Sequence, residues 1–380
     1  MDTTLSALAI ERVEIFGVAI PLVGAGFKNA YITKKAQKSA LVRLTAADGS
    51  IGLGNIDPSP GYSTQTIEQS LEALRNILAK AVRGHDAGNP HRVVEVMDAV
   101  LDGFLDAKAA IEMACVDLTA RRLGIPVHQY LGGALVDTVR FNAWIGIEPP
   151  DVAAAEARKW FDRGFRSAKI KVGGGVDADR DRVMAVREAV GPEMKLRADA
   201  NAGYSVEDGI RLGRLLEPFD MQLLEQPVAA EDLAGMAKVR RSVGVKVMAD
   251  ESITDHASLI DVIRADCADF VKLKVMKQGG FLKCRRMLET ASAAGLGVVI
   301  GHGFGLGVNT VAEIMLAATS RSVIEGLECV GPLKTADDIV RTKLDLGRGQ
   351  IALPGGPGLG VELDEEKIRR YRFDEPGGRA

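Results

Sequence analysis

The chain has 380 residues, 47% of them hydrophobic and 26% charged, and its formal net charge is −3. This length exceeds one ordinary domain and fits a barrel of about 250 residues with a smaller partner domain. The balanced charge argues against a nucleic-acid-binding or membrane-surface protein, so we expect a small-molecule ligand.

Targeting and redox signals are weak. The sequence has no run of 18 apolar residues and no basic amino-terminal region followed by an apolar core, so we predict no membrane span, no signal peptide and a cytoplasmic location. Four cysteines without CxxC spacing are expected to be free, buried thiols. They are Cys115, Cys267, Cys284 and Cys329.

The amino-terminal part reads as an α+β capping domain over residues 1–125. It opens with strand-like runs at 10–22 and 39–56, and helical spacing follows at 64–83, 90–102 and 105–123. Two segments, near 23–37 and 55–62, are predicted lid loops. Their candidate substrate contacts, for which packing at the domain interface is the alternative, are Lys28, Tyr31, Asp57 and Tyr62.

From Asp137 the pattern alternates strand and helix, which predicts a (β/α)₈ TIM-type barrel over residues 126–340. The fold class is therefore α/β. Residues 341–380 are expected to return to the capping domain. The eight predicted strands lie near 139–146, 167–172, 194–199, 220–225, 246–250, 269–275, 297–301 and 325–330.

The stretch SAKIKV, residues 167–172, places two lysines on one face of a buried strand. Because side chains alternate along a strand, Lys169 and Lys171 point to one side and the apolar residues to the other. Two ammonium groups inside a barrel must meet carboxylates or a ligand.

The following strands supply those carboxylates. From Lys171, the next charged strand ends follow at intervals of 28, 26, 25 and 24 residues, at Asp199, Glu225, Asp250 and Lys274. One strand plus one helix has about this length, so each step is one βα unit. All five groups should meet at the carboxyl ends of the strands, where barrel enzymes carry their chemistry.

This set suits proton transfer next to a carboxylate. Three carboxylates offer the oxygen ligands that Mg²⁺ prefers, with Mn²⁺ as an alternative ion. A lysine whose pKa is lowered by the metal and a second ammonium could take the proton. Lys274 could serve the opposite face of the same carbon; its competitors are Lys272 and Lys277, and its strand-end position before two glycines favours it.

The order KIK, RADAN, LLEQP, ADES, KLK resembles the enolase superfamily, specifically its muconate lactonizing enzyme (muconate cycloisomerase) subgroup. GPLKTADDIV and PGGPGLGVELDEEKI extend the resemblance to the carboxyl-terminal part. The resemblance implies a homo-oligomer, an octamer being one form. It also implies Asp199, Glu225 and Asp250 as metal ligands and Lys171 and Lys274 as the acid/base pair. Lys169 would be the auxiliary lysine. Glu328 would be the acid at the end of the eighth strand, and we predict that it contacts the substrate, with a salt bridge to an inner lysine as the alternative.

Departures from the family pattern concern the substrate. GLGNIDPSPGY replaces the usual Gly-x-Gly-Glu and brings Asp57 to a loop bordering the substrate. GLECVGP lacks the Asp-x-Asp of dipeptide epimerases, which makes dipeptides less expected. His302, in VVIGHGFGLG, is unusual for the subgroup; it either contacts substrate or makes an ordinary hydrogen bond at the barrel mouth.

We therefore predict a Mg²⁺-dependent enzyme that abstracts a proton alpha to the carboxylate of a small substrate through an enolate. An isomerase is expected first, either a cycloisomerase or a racemase/epimerase of amino-acid derivatives. The alternatives are a dehydratase of hydroxy-acid, sugar-acid or hydroxyproline type and a non-catalytic ligand-binding homologue.

Overall fold

The computed structural model describes residues 8–24, 27–28, 33–59 and 63–374, without the side chains of 27, 28 and 33. Its strands are β1 Ile10–Pro21, β2 Phe27–Lys28, β3 Thr33–Lys34, β4 Ala36–Ala46, β5 Ile51–Ile56, β6 Thr138–Arg140, β7 Ala143–Ile145, β8 Ser167–Lys171, β9 Lys195–Asp199, β10 Met221–Glu225, β11 Val247–Ala249, β12 Phe270–Leu273, β13 Gly297–Ile300 and β14 Gln350–Ala352.

Helices lie between these strands, and one more follows the last strand. They are α1 Ile67–Ala73, α2 Ala79–Val82, α3 Pro90–Val100, α4 Leu105–Leu123, α5 Val127–Tyr130, α6 Pro150–Asp162, α7 Val176–Val190, α8 Val206–Leu216, α9 Leu233–Ser242, α10 His256–Arg264, α11 Phe281–Ala293, α12 Gly307–Ala317, α13 Gly331–Lys334 and α14 Glu365–Tyr371. A π-helical turn, Leu74–Leu78, joins α1 to α2. None of the helices described here is long and apolar enough to cross a membrane.

The amino-terminal sheet is antiparallel, in the order β1-β4-β5, and it packs on the buried helix α4. Close packing requires small residues on β5. A Cβ atom at Gly54 would lie 1.8 Å from the carbonyl oxygen of Ala110 in α4. Alternating apolar residues on the strands and the long apolar helix thus form a core that is continuous with the apolar residues of the barrel.

Seven parallel strands form the barrel sheet in chain order, from β7 to β13, each followed by a helix. Each strand therefore presents its carboxyl end at the same mouth. The predicted α/β class, with a parallel barrel sheet and a separate antiparallel sheet, is confirmed.

The predicted eighth strand, at 325–330, is wrong as a regular strand. The chain there makes bridges rather than a regular strand: the Leu327 amide donates to the Arg140 carbonyl at 2.8 Å, and the Glu328 amide to the Ile300 carbonyl at 2.9 Å. The reason is a buried guanidinium. Arg197 donates to the carbonyls of Glu325 at 2.6 Å and Gly326 at 2.9 Å, which takes these acceptors away from a ladder. Through these hydrogen bonds to Arg140 and Ile300, the segment still joins the first and last parts of the barrel, so the barrel closes.

The predicted strand at 139–146 is also two elements. β6 pairs antiparallel with β14, whereas β7 pairs parallel with β8. Between them the Asn142 side chain donates to the Ala143 carbonyl at 2.8 Å, the local side-chain bonding that interrupts strands.

The carboxyl-terminal residues contact the amino-terminal part. α14 packs against β1, and the Gly17 amide donates to the Asp374 carboxylate at 2.7 Å. The division at residues 125 and 340 remains our proposal. The four cysteines are free and buried, as predicted.

Candidate active site

Backbone register places the predicted charged residues side by side. Lys171 ends β8 and lies opposite Asp199 at the end of β9, and Asp199 lies opposite Glu225 at the end of β10. Asp250 follows β11 directly, and Lys274 follows β12. Each side chain is thus held at the end of a rigid strand.

Two ion-paired groups result. The Lys171 ammonium donates to Asp199 at 2.5 Å and to the Asn201 side-chain oxygen at 2.6 Å. Lys169 lies 3.2 Å from both Asp199 and Glu225. Further round the ring, Lys274 donates to both oxygens of Asp250, at 2.6 and 2.8 Å.

The acids are buried, and their pKa values are shifted in different directions. Burial tends to raise the pKa of Asp199, but the charges of Lys171 and Lys169 outweigh it and hold the pKa at about 2. Burial, with the neighbouring Asp199 charge, raises the pKa of Glu225 to about 8. For Asp250, Lys274 outweighs burial and holds the pKa well below its usual range.

The donor set suits Mg²⁺ chemically. Asp199, Glu225 and Asp250 bring carboxylate oxygens from three consecutive strands, and the crowding of Glu225 by Asp199 is the repulsion that a cation would relieve. Within the described ranges, no three acidic, histidine or cysteine side chains are already gathered around one point, because lysine ammonium groups occupy the carboxylates. An ion would take the place of those ammonium groups.

Lys274 is protonated in this arrangement. Burial acts to lower its pKa, but the charge and hydrogen bond of Asp250 outweigh burial and raise it. Its two sequence competitors make different contacts. Lys272 contacts Glu225 at 3.3 Å and Glu328, inside the barrel. Lys277 donates to the Asp250 backbone carbonyl at 3.0 Å and lies 3.5 Å from the Asp250 carboxylate, so it shares this acid with Lys274.

Glu328 belongs to a buried charge network. It accepts from Arg197 at 3.1 Å, lies 2.5 Å from Lys169 and also contacts Lys272. Burial tends to raise its pKa, but Lys169 and Lys272 outweigh burial and hold the pKa well below the usual range. These contacts give Glu328 the role of fixing the inner lysines, and any contact with substrate stays a prediction.

His302 and Asp57 connect the barrel to the predicted lid segment 55–62, of which the structure describes residues 55–59. The His302 Nε2 atom lies 2.8 Å from the Asp57 carbonyl oxygen, which can only accept, so Nε2 carries the proton. The Asp57 carboxylate is fully buried and accepts from Ser39 at 2.5 Å and Asn309 at 3.0 Å. Both residues thus make hydrogen bonds at the interface.

The remaining predicted contacts belong to the predicted lid segments 23–37 and 55–62. The Lys28 backbone lies in β2 and its side chain is outside the description, as are Tyr31 and Tyr62. Sequence patterns missed Lys34 and Lys334, which the structure brings to the mouth beside Phe304. No spacing could reveal this pair, since the two lysines lie far apart in the chain.

Replacement of His302 by glutamine is expected to remove an acid-sensitive site. Burial, then the charges of Lys274 and Lys34, lower the pKa of His302 from 6.5 to about 3. Between these values the unfolded chain binds a proton that the folded chain does not, so the free energy of unfolding falls as the pH falls. Glutamine keeps an N–H donor without titrating.

The wild type should lose on the order of 1–2 kcal/mol more than His302→Gln between about pH 7 and pH 5, measured by urea unfolding. Exposed His91, changed to glutamine, is the control. Equal acid sensitivity of wild type and His302→Gln would disprove the neutral, donating histidine.

Comparisons with known proteins agree with this geometry. Residues 152–367 match a family model described as enolase C-terminal domain-like, and residues 12–132 match the mandelate racemase / muconate lactonizing enzyme N-terminal domain. The L-Ala-D/L-Glu epimerase of Bacillus subtilis (strain 168) is 30% identical over 357 residues, which cover 93% of this chain and 97% of the epimerase.

Two crystal structures are similar over nearly their whole length. Muconate lactonizing enzyme from Pseudomonas fluorescens, complexed with muconolactone, has a TM-score of 0.92 at 31% identity, covering 97% of this chain and 100% of that one. Dipeptide epimerase from Enterococcus faecalis V583, complexed with Mg and L-Leu-L-Tyr, has a TM-score of 0.89 at 30% identity, covering 93% and 99%.

The chain belongs to the enolase superfamily, in its muconate lactonizing enzyme subgroup. The resemblance seen in the sequence is therefore confirmed. The predicted enzyme class, an isomerase of this superfamily, is also confirmed, because relatives that match the chain from end to end are isomerases.

Proposed function

We propose that this protein is a Mg²⁺-dependent isomerase that moves a proton at the carbon next to a substrate carboxylate. One observation carries the proposal. Lys171 and Lys274 belong to the second and sixth positions of the barrel, on opposite sides of the ring, and the three acids come from the strands between them. A substrate held by the acids therefore has one amine on each side.

Asp199, Glu225 and Asp250 would hold the Mg²⁺ ion, which when bound supplies positive charge to a substrate carboxylate and stabilises the negative charge that proton loss creates. The lysines move the proton. Asp199 and Asp250 hold Lys171 and Lys274 by short hydrogen bonds. Each lysine can act as a base only when that carboxylate is engaged elsewhere, which links proton transfer to occupation of the acids.

Lys169 serves a different role in this proposal. Its ammonium lies between Asp199, Glu225 and Glu328, and these acids outweigh burial and raise its pKa well above the usual value. It therefore stays charged. We assign it to hold the acids in place and to add positive charge on the side of Lys171.

The two-sided arrangement favours racemisation or epimerisation of a small carboxylate compound. Removal of the proton by one lysine and its return by the other inverts the carbon, which needs both amines. Cycloisomerisation needs one of them and remains within the same proposal. The similar crystal structure of muconate lactonizing enzyme, which contains muconolactone, supports cycloisomerisation as the second possibility.

The test is deuterium incorporation, followed by NMR in D₂O with Mg²⁺. The panel contains muconates, N-acylated amino acids, proline derivatives and sugar acids, the last two serving the dehydratase alternative. We expect exchange at the α-carbon for one class and none without Mg²⁺. Exchange that continues after Mg²⁺ is removed by a chelator would contradict the metal-dependent proposal. A product with one water molecule fewer than the substrate would favour the dehydratase.

A further inference from the structure

A buried carboxylate outside the proposed reaction centre holds the loop that follows β8. Asp179 lies in the first turn of α7 and is fully buried. One of its oxygens accepts from three consecutive amides of this loop, those of Gly173 at 2.8 Å, Gly174 at 2.9 Å and Gly175 at 3.1 Å. Because β8 ends at Lys171, this carboxylate fixes the backbone directly beyond the proposed base.

Two of the three glycines have a backbone conformation that other residues rarely adopt. The φ angles of Gly173 and Gly175 are +115° and +126°. Successive amides directed at one acceptor form a nest, the arrangement by which backbone loops bind anions. Here the anion is the carboxylate of Asp179, so the loop after β8 and the first turn of α7 form one local unit.

Tyr204 ties a second loop to the same carboxylate. It lies in the loop after β9, the strand that ends at Asp199. Its hydroxyl accepts from the Gly173 amide at 3.0 Å and donates to Asp179. Burial, then the hydrogen bond and charge of Asp179, raises the pKa of Tyr204 well above its usual value, so the hydroxyl remains a donor. The loops after β8 and β9 are thus joined through one side chain.

Arg182 extends this unit to the backbone of the proposed base. It forms an ion pair with Asp179 and donates to the Lys171 carbonyl at 3.3 Å. The acceptors of the Lys171 ammonium, Asp199 and Asn201, lie at the end of β9 and in the loop after it. The orientation of the amine therefore depends on how the two loops lie relative to each other.

The loop after β9 needs such support. Asn201 and Ala202 are consecutive non-glycine residues with positive φ angles, +44° and +60°. Conformations of this kind persist only where surrounding contacts hold them. The Tyr204 hydroxyl provides contacts of this kind two residues beyond the strained pair, at Gly173 and Asp179.

We infer that Asp179 and Tyr204 are positioning residues for Lys171, because they tie the loop after β8 to the loop after β9 and so hold the lysine against its acceptors. The use of Lys171 as a base rests on the proposed function, whereas its placement by the two loops does not. Lys274 is held elsewhere, since its amide donates to the Gln278 side-chain oxygen at 2.7 Å. Loss of the Tyr204 hydroxyl should therefore affect one lysine and spare the other.

The first test needs no substrate and uses Tyr204→Phe, which removes only the hydroxyl. By hydrogen exchange and mass spectrometry, the amides of residues 173–175 should exchange on the order of 10-fold faster than in the wild type. Acetylation of Lys171 should also become faster, whereas acetylation of Lys274 should not change. Tyr371→Phe is the matched control, because it removes a hydroxyl that donates to Asp337 at 2.9 Å, and it should leave all three rates unchanged.

The second test measures α-proton exchange in two backgrounds. In Lys274→Ala, where exchange depends on Lys171, adding Tyr204→Phe should lower kcat roughly 10-fold to 100-fold with little change in KM. In Lys171→Ala, the same addition should have no further effect. Equal losses in both backgrounds would show general distortion of the mouth and would overturn the positioning role.

The two tests separate this inference from the proposed function. Unchanged acetylation of Lys171 in folded Tyr204→Phe overturns the inference, whatever the activity. Faster acetylation of Lys171, with no α-proton exchange by the wild type on any substrate, would remove the proposed function and leave the placement of the lysine. Asp179→Asn should act in the same direction, and if it does not fold by circular dichroism, Tyr204→Phe carries the test.

Discussion

Alanine at Lys171 or at Lys274 is expected to lower turnover of the isomerisation by roughly 10³-fold, within the range for loss of a general acid or base. The loss should be selective. Because the two amines lie on opposite sides of the barrel, each variant keeps the lysine that serves one face of the substrate carbon. Lys171→Ala should exchange the α-proton of one enantiomer, and Lys274→Ala that of the other.

This pattern distinguishes chemistry from damage to the fold. A variant that merely distorted the mouth would lose exchange with both enantiomers. Exposed Lys238, changed to alanine, is the matched control for loss of a lysine and should leave both exchange rates unchanged. Full isomerisation by either site variant would contradict the two-base assignment, and loss confined to one lysine would favour cycloisomerisation.

Changes at two of the proposed metal ligands should separate metal binding from stability. Asparagine at Asp250 leaves the Lys274 ammonium buried without its carboxylate partner, which typically costs about 3–5 kcal/mol. Glutamine at Glu225 should cost less in the metal-free protein, because burial and Asp199 raise the pKa of Glu225 to about 8, whereas Lys274 holds the pKa of Asp250 well below its usual range.

Both variants should lose the response to Mg²⁺. A ligand present at 100 times its dissociation constant stabilises a protein by about 2.7 kcal/mol, and we expect this gain in the wild type alone. Urea unfolding with EDTA and then with Mg²⁺ measures both effects. A full Mg²⁺ response in Glu225→Gln would remove that residue from the ligand set, and wild-type stability of Asp250→Asn in EDTA would contradict the buried ion pair.

The barrel and its chemical centre could be predicted because their signals are local. Strand alternation assigns Lys169 and Lys171 to one face, and regular βα spacing brings Asp199, Glu225 and Asp250 to one edge. Neither inference requires knowing which distant residues touch. The sequence by itself therefore determined the parallel barrel, the order of charged groups around its mouth and the membership of the superfamily.

Only the tertiary structure decided the contacts between distant segments. Arg197 takes the carbonyl oxygens that a regular eighth strand would have used, and His302 donates to Asp57 across the interface. Lys34 and Lys334 meet beside Phe304 although they are widely separated in sequence. Such contacts depend on the closure of the barrel and on how segments distant in the sequence pack together, which no local periodicity encodes.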